Sequence, residues 1–489
     1  MGVSGFGQKR ESPQALLRAN RFFDKALQSL ASGSEDLAVQ HLRAGLADFP
    51  GHLNCLNELG AIALTSGDDA AALMWFEKAL VVASQSEKAK VLNNLASCWI
   101  LLGEPQKACA LLNEALAVQN SLDDSCLDRN GTALVVGNLA RIAQQSGDLQ
   151  AALESGRESL GFNPDDHNIR WLVANVLLAM GRQSEAWPLF ESRLFADNAV
   201  SLFAYPDLPL WSPADESCPD CLLIVGEQGL GDCLMWMRFL PLLRSMCRGL
   251  EFCGPPSLRS IFESLHLVDR YLTPDQITSS GAQRFLPLLS LGLAVPNLFD
   301  HAAVCLGHLA YKPPPLKVQE WTLRLPTSPR PLLVGLHWQG NPQAEERSLL
   351  TGRSMPLAAL RPLQQLPNCQ WVSLQYGAGE EQITAADRRQ WFVPWQDQVG
   401  QAPSLEDRAA LLRACDLLVT TDSMVAHLAG LVGTPTLLLL HHCPEWRWHE
   451  GACPGLYPTH TILRQRSAGD WQPVVADAAA RIGHWPRRA

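Results

Sequence analysis

Residues 26–42 read ALQSLASGSEDLAVQHL, and their spacing decides the fold of the first part of the chain. Around Gly33, a small residue (Ala26) stands seven positions upstream. Ala38 stands five positions downstream and Leu42 nine. The arrangement recurs at Gly67, Gly103, Gly147 and Gly181, at spacings of 34, 36, 44 and 34 residues from Gly33 onward. The upstream small residues are Ala26, Gly60, Ala96, Ala140 and Ala174, and the downstream alanines are Ala38, Ala72, Ala108, Ala152 and Ala186. Nine residues after each glycine stand Leu42, Phe76, Leu112, Gly156 and Phe190, so four of the five are large and apolar.

The pattern has a mechanical meaning. Small residues sit where two helices cross closely, and glycine ends the first helix of a pair and lets the chain turn. The large apolar residue fills the space toward the next pair. This spacing resembles the tetratricopeptide repeat, whose period is 34 residues. The 44-residue interval is expected to hold an insertion in the polar stretch Gln119–Asn130. A solenoid of this kind offers a concave groove for a peptide, partner or acceptor, unless it serves only as a spacer or dimerisation element.

Of the 489 residues, 47% are hydrophobic and 18% charged, which excludes disorder over most of the chain. Acidic residues outnumber basic ones 49 to 39, giving a formal charge of −10. That argues against a nucleic-acid or anionic-membrane binder, which needs a basic face. No apolar run reaches the length of a membrane span, and the N-terminal stretch has no apolar signal core, so a cytoplasmic protein is expected. The 14 cysteines are scattered and are expected to be reduced and mostly buried. Cys218-Pro-Asp-Cys221 lacks the two further ligands a zinc site needs.

After Phe195 the repeat stops, and Pro206, Pro209 and Pro213 mark a change of character. Short apolar runs follow at Cys221–Val225, Leu332–Leu336, Gln370–Leu374, Asp416–Thr420 and Thr436–Leu440. They read as buried parallel strands alternating with helices, hence an α/β architecture. A proline-rich segment from Lys312 to Pro331 divides it in two. Ligands of such sheets bind beyond the carboxyl ends of the strands.

Two constellations stand at such ends. Gly226-Glu-Gln-Gly-Leu-Gly-Asp232 follows the first strand and opens a helix. Gly229 and Gly231 let the backbone approach a ligand, but the order is neither a dinucleotide fingerprint nor a P-loop. Asp232 is either a helix-capping carboxylate or a general base facing a cleft. Thr421-Asp-Ser423 follows the DLLVT strand and crowds the start of another helix with groups suited to a diphosphate. His427 lies one turn on, either on the same face as Ser423 or as a satisfied core histidine. Trp446 and Trp448 flank Arg447, for packing or for stacking on a ligand.

GEQGLGDCLMWMRFLP (226–241), LLVGLHWQGNP (332–342), Arg353-Ser-Met-Pro356 and TTDSMVAHLAGLVGTPTLLLL (420–440) followed by PEWRW (444–448) together resemble one group. In these bacterial proteins tetratricopeptide repeats precede a domain similar to glycosyltransferase family 9, the heptosyltransferases. The resemblance runs along nearly all of 205–489. It implies a GT-B-like pair of Rossmann-like domains, a nucleotide-diphosphate-sugar substrate, inversion at the anomeric carbon, and no metal or other cofactor. By resemblance Asp232 is the catalytic base, and Asp422, Ser423 and His427 hold donor phosphates. Arg347 and Arg353 are the remaining candidates for phosphate contact, because the stretch QAEERSLLTGR (343–353) departs from the family pattern. Gln375 matches a strand-end position facing the nucleotide.

The expected organisation is an N-terminal tail (1–13), a five-repeat α-solenoid (14–200), a first Rossmann-like half (205–315), a linker (316–330) and a nucleotide-sugar-binding half (331–489). The expected activity is transfer of a sugar to a protein or glycan acceptor presented by the repeats. The alternative, motivated by the departure at 343–353, is a non-catalytic repeat scaffold carrying a degenerate transferase fold.

Overall fold

The computed structural model describes residues 12–121, 128–197, 199, 201–214, 217–295, 297–325, 331–342, 345, 352–393, 403–449 and 455–486. Among the described residues of the first part, ten helices form five pairs: α1 (Pro13–Ala31) with α2 (Glu35–Asp48), α3 (Leu53–Thr65) with α4 (Asp69–Val82), α5 (Gln85–Leu101) with α6 (Pro105–Asn120), α7 (Arg129–Gln145) with α8 (Leu149–Phe162), and α9 (His167–Ala179) with α10 (Gln183–Phe190). The five glycines of the repeat all stand between the helices of a pair, at φ from 73° to 81°. In this left-handed region glycine carries no Cβ penalty. After four of them, Ser34, Asp68, Glu104 and Arg182 donate their backbone N–H to the carbonyls of Ser29, Ala63, Trp99 and Leu177 at 2.8–2.9 Å. This closes each helix with a Schellman turn.

The alanines five positions on are fully buried in every pair. Gly60 shows why one repeat differs. A Cβ there would lie 2.6 Å from a Phe76 ring carbon, so the small residue and the large one are a matched set. The long interval corresponds to α6 ending at Asn120 and α7 starting at Arg129. Residues 122–127 of the expected insertion lie outside the described residues.

The chain divides into two compact units. The first runs to Ile169 without residues 145–149; the second holds 145–149 and everything from Arg170. The last helix pair therefore packs with the α/β part, and its contacts give the reason. Arg193, just after α10, is completely buried and donates to both carboxylate oxygens of Glu227, at 3.0 and 2.8 Å. Trp187 of α10 covers Gly292, where a Cβ would meet the indole at 2.2 Å.

Two all-parallel sheets build the rest of the second unit. The first comprises β1 (Cys221–Val225), β2 (Gly249–Cys253), β3 (Arg270–Leu272) and β4 (Arg284–Pro287), in the order β3-β2-β1-β4. The second comprises β5 (Leu332–His337), β6 (Cys369–Ser373), β7 (Leu417–Thr421), β8 (Thr436–Leu440) and β9 (His460–Arg464), in the order β6-β5-β7-β8-β9. All five sequence-read strands are present. Of the missed ones, β3 is short, β4 and β9 carry polar residues on an edge, and β2 is interrupted by Glu251. Strand order reverses between β1 and β4 and between β5 and β7, and ligands of open parallel sheets bind at such reversals.

The segment expected as a linker begins with helix α12 (Pro315–Leu323), Pro315 being pre-set for the first turn. Its Trp321 is buried, and Lys317 Nζ lies 2.7 Å from Asp407 of α13 (Leu405–Ala414). The cysteines are not all reduced: Cys218 is bonded to Cys247, with Cα atoms 5.8 Å apart, within the ordinary range for a disulfide. Cys221, its neighbour in the CxxC, instead starts β1, with its sulfur 3.1 Å from where a Cβ on Gly249 would stand. Among the described residues no single helix is long and apolar enough to cross a membrane.

Candidate functional site

At the β1 reversal the chain leaves Val225 and turns into helix α11 (Leu230–Trp236). Glu227 is fully buried in its pair with Arg193 and also accepts the N–H of Leu289 at 2.7 Å. Gln228 takes a left-handed φ of 62°. Gly229 caps the helix, and its N–H is accepted by Asp232 Oδ2 at 3.2 Å. The capping reading of Asp232 thus holds for one oxygen. The other, Oδ1, accepts from Arg447 Nη2 at 2.8 Å.

At the β7 reversal, Thr421 ends the strand and Ser423 precedes helix α14 (Met424–Val432). Ser423 makes no side-chain cap; its hydroxyl lies 3.2 Å from His337 Nδ1 and 3.3 Å from Thr420 Oγ1. Thr421 Oγ1 and Asp422 Oδ2 are buried with no hydrogen-bond partner among the described residues. An uncapped helix start beside unsatisfied buried polar atoms is where a polar ligand recovers the cost of their desolvation.

The two helix starts meet. A Cβ on Gly231 would lie 3.0 Å from His427 Cδ2 and 3.4 Å from Met424 Cα, so any larger residue would press α11 against α14. Arg447 ties the same two reversals electrostatically. Its Nη2 also reaches Glu445 Oε1 at 3.0 Å, and only 4% of its side chain is accessible. Burial acts against the Arg447 charge, but Glu445, Asp232 and Asp422 more than offset it and raise its pKa. Arg353 stands in the same field. Burial opposes its charge, while Asp422, Glu445, Glu345 and Asp232 outweigh burial. The outcome is a shared cluster of two arginines and four carboxyls.

The other sequence-read residues fall as follows. His427 is in the core: its Nδ1 lies 2.9 Å from the Tyr457 hydroxyl and its ring stacks on Trp448 at 5.4 Å. Burial, followed by the charges of Arg447 and Arg238, pushes its pKa far below the usual range, so it is neutral. Gln375, beyond β6, accepts from the N–H groups of Trp338 and Gln339 and donates to the carbonyls of Gln339 and Ala378. It fastens the β5 exit loop. Arg347 lies outside the described residues. Trp446 packs with Phe299 and Phe190, at 5.2 and 6.5 Å, and Trp448 stacks on His460, so both are core aromatics.

Sequence reasoning missed Arg447 and Glu445 as site residues. A signal was present for Arg447: a charge between two core tryptophans in PEWRW is buried with them and needs a carboxyl partner nearby. A shallow cavity of about 290 Å³ lies elsewhere, along β3, lined by residues such as Arg259, Asp269 and Gln276, and contains none of the grouped side chains.

The histidines of this region make an acid prediction. Burial brings His337 down to about 3 and His441 and His460 to about 4, with His427 also lowered. The unfolded chain takes up protons near pH 6.5 and the native site does not, so stability present above that pH is lost as pH falls toward 4. Glu445, pushed up to about 7, works in the opposite sense, but it is one group against four. The melting temperature is expected to fall steadily between pH 6.5 and 4.5 in a calorimetric scan, and a flat profile would contradict the burial of these rings.

No family model matches the chain. It is similar to the protein FlbA of Caulobacter vibrioides, 26% identical over 480 residues, which cover 94% of this chain and 71% of that protein. Among solved structures it is similar to pilF of Pseudomonas aeruginosa (21% identity, TM-score 0.33, covering 37% of this chain and 82% of that one). It is also similar to a tetratricopeptide-repeat protein of Thermus thermophilus (19%, TM-score 0.30, 37% and 92%). A third is YrrB, a tetratricopeptide-repeat protein described as having an unusual peptide-binding site (14%, TM-score 0.28, 39% and 89%). These structures match the helical N-terminal part. The repeat itself is read from this chain's own glycines, alanines and helix pairs.

Proposed function

We propose that this chain is an inverting, metal-independent glycosyltransferase of GT-B type, similar to family 9. It would move a sugar from a nucleotide diphosphate to a protein or glycan acceptor held by the repeats, on the cytoplasmic side where such donors are held. The observation that carries the reading is the convergence of two strand-order reversals. One supplies an uncapped helix start with unpartnered Thr421 and Asp422 atoms, and the other supplies Asp232, joined to it through Arg447.

In this reading the amides that open α14 and the Arg353 guanidinium receive the diphosphate, as helix starts and arginines do for phosphates generally. The acceptor hydroxyl attacks the anomeric carbon opposite the phosphate. Its proton goes to Asp232, the new C–O bond forms, and the old C–O pair leaves with the diphosphate. Buried dipoles and cations that already face the leaving charge need little reorganisation, which lowers the barrier.

A thermal-shift screen with ADP, UDP, GDP and dTDP tests it. A nucleotide at about 100 times its Kd should stabilise the native state by about 2.7 kcal/mol, raising the transition of the second unit by roughly 4 °C. No shift with any of the four would remove the proposal and favour a scaffold.

A further inference from the structure

We propose that Glu445 is a second catalytic carboxyl, the acid that hands its proton to the departing phosphate while Asp232 takes the proton of the attacking hydroxyl. The proposal rests on the glycosyltransferase reading above and adds a residue to it. Its basis is one nitrogen. Arg447 Nη2 donates both to Asp232 Oδ1, at 2.8 Å, and to Glu445 Oε1, at 3.0 Å. The two carboxyls are therefore neighbours on a single buried cation. Both keep some accessible surface, 15% of the side chain for Asp232 and 25% for Glu445, so a substrate can reach them.

The charged groups facing Glu445 come from four segments. Arg447 is on its own turn, Asp232 on α11, Asp422 between β7 and α14, and Arg353 on the segment after β5. Neighbouring carboxyls disfavour each other's ionisation, while the Arg447 guanidinium between them favours it. Burial foremost, with Asp232 and Asp422 adding to it against the two arginines, pushes Glu445 up to about 7. Asp232 accepts from the Gly229 N–H through one oxygen and from Arg447 through the other. An acid and a base separated by environment is the arrangement that proton-transferring sites use.

The step balances. The acceptor O–H proton passes to Asp232 as its oxygen bonds to the anomeric carbon. The bond from that carbon to the phosphate oxygen breaks, its electron pair stays on that oxygen, and the Glu445 proton moves onto the leaving diphosphate. Asp232 and Glu445 then exchange charge states, and solvent restores them. Glu445 must be protonated at the start, so turnover is expected to fall as pH rises through about 7.

The test follows release of nucleoside diphosphate from ADP-, UDP-, GDP- and dTDP-linked hexoses between pH 5 and 9, by the full chain and by Glu445→Gln and Glu445→Asp. Wild type should lose rate on the alkaline side of pH 7. Glu445→Gln should lower kcat about 100-fold and abolish that alkaline limb, while Glu445→Asp restores part of both. Nucleotide binding by thermal shift shows that each variant is folded. A Glu445→Gln protein within twofold of wild type, or slow but with the same alkaline limb, overturns the assignment and leaves the glycosyltransferase reading standing. Absence of release from every donor by wild type overturns the reading and the assignment together.

Discussion

Asp232→Asn is expected to lower sugar transfer by about 10²–10⁴-fold while nucleotide binding stays within about threefold of wild type. The substitution keeps the shape of the side chain, so the oxygen that accepts the Gly229 N–H at 3.2 Å can still cap α11. It removes the charge that accepts from Arg447 and with it the ability to take a proton. Steady-state kinetics beside a nucleotide titration separates the two effects. Full activity in this variant would show that Asp232 only caps its helix. Loss of both activity and binding would show that it builds the site without serving as the base.

The second large effect is on stability. Arg193→Met should destabilise the second unit by about 3–5 kcal/mol, because it leaves Glu227 as a buried, uncompensated charge. Arg193 and Glu227 have no accessible side-chain surface, and Arg193 also binds Glu191 Oε1 at 2.6 Å and Ser290 Oγ at 2.8 Å. The double variant Arg193→Met with Glu227→Gln should recover part of the loss, since the amide carries no charge and its oxygen can still accept the buried Leu289 N–H. Denaturant unfolding reads this from the midpoint of the second unit, because two compact units need not unfold together. Equal midpoints for wild type and Arg193→Met would show that the pair does not hold the last helix pair to the α/β part.

Much of the fold was legible because its signals are local. A glycine at a fixed offset from two alanines states a turn and a close helix crossing without any distant partner. Five apolar runs state five strands for the same reason. The strands that escaped notice, such as Arg270–Leu272, are too short to show a period and depend on the neighbours they pair with. The helix inside the proline-rich segment was not legible, because prolines mark a break in sequence, whereas Pro315 at the first position of a helix is tolerated.

The candidate site was legible only in part. Asp232 and the Thr421–Ser423 segment announce themselves by position after a strand and before a helix. Gly231 was read for the right reason, close approach, but what approaches is α14. His427 was read either as a ligand-facing or as a core histidine, and its Nδ1 meets Tyr457; Gln375 was read as facing the nucleotide, and its amide fastens the β5 exit loop.

The sequence by itself determined the repeat, the alternation of strands and helices, and the two helix starts, because each follows from residues near one another along the chain. Only the tertiary structure decided that the last helix pair belongs with the α/β part and that Cys218 pairs with Cys247. It also decided that Asp232, Glu445 and Arg447 share one charge network, across 215 residues from Asp232 to Arg447. A buried charge must find its counter-charge wherever the fold brings one, and sequence separation carries no information about which carboxyl that is.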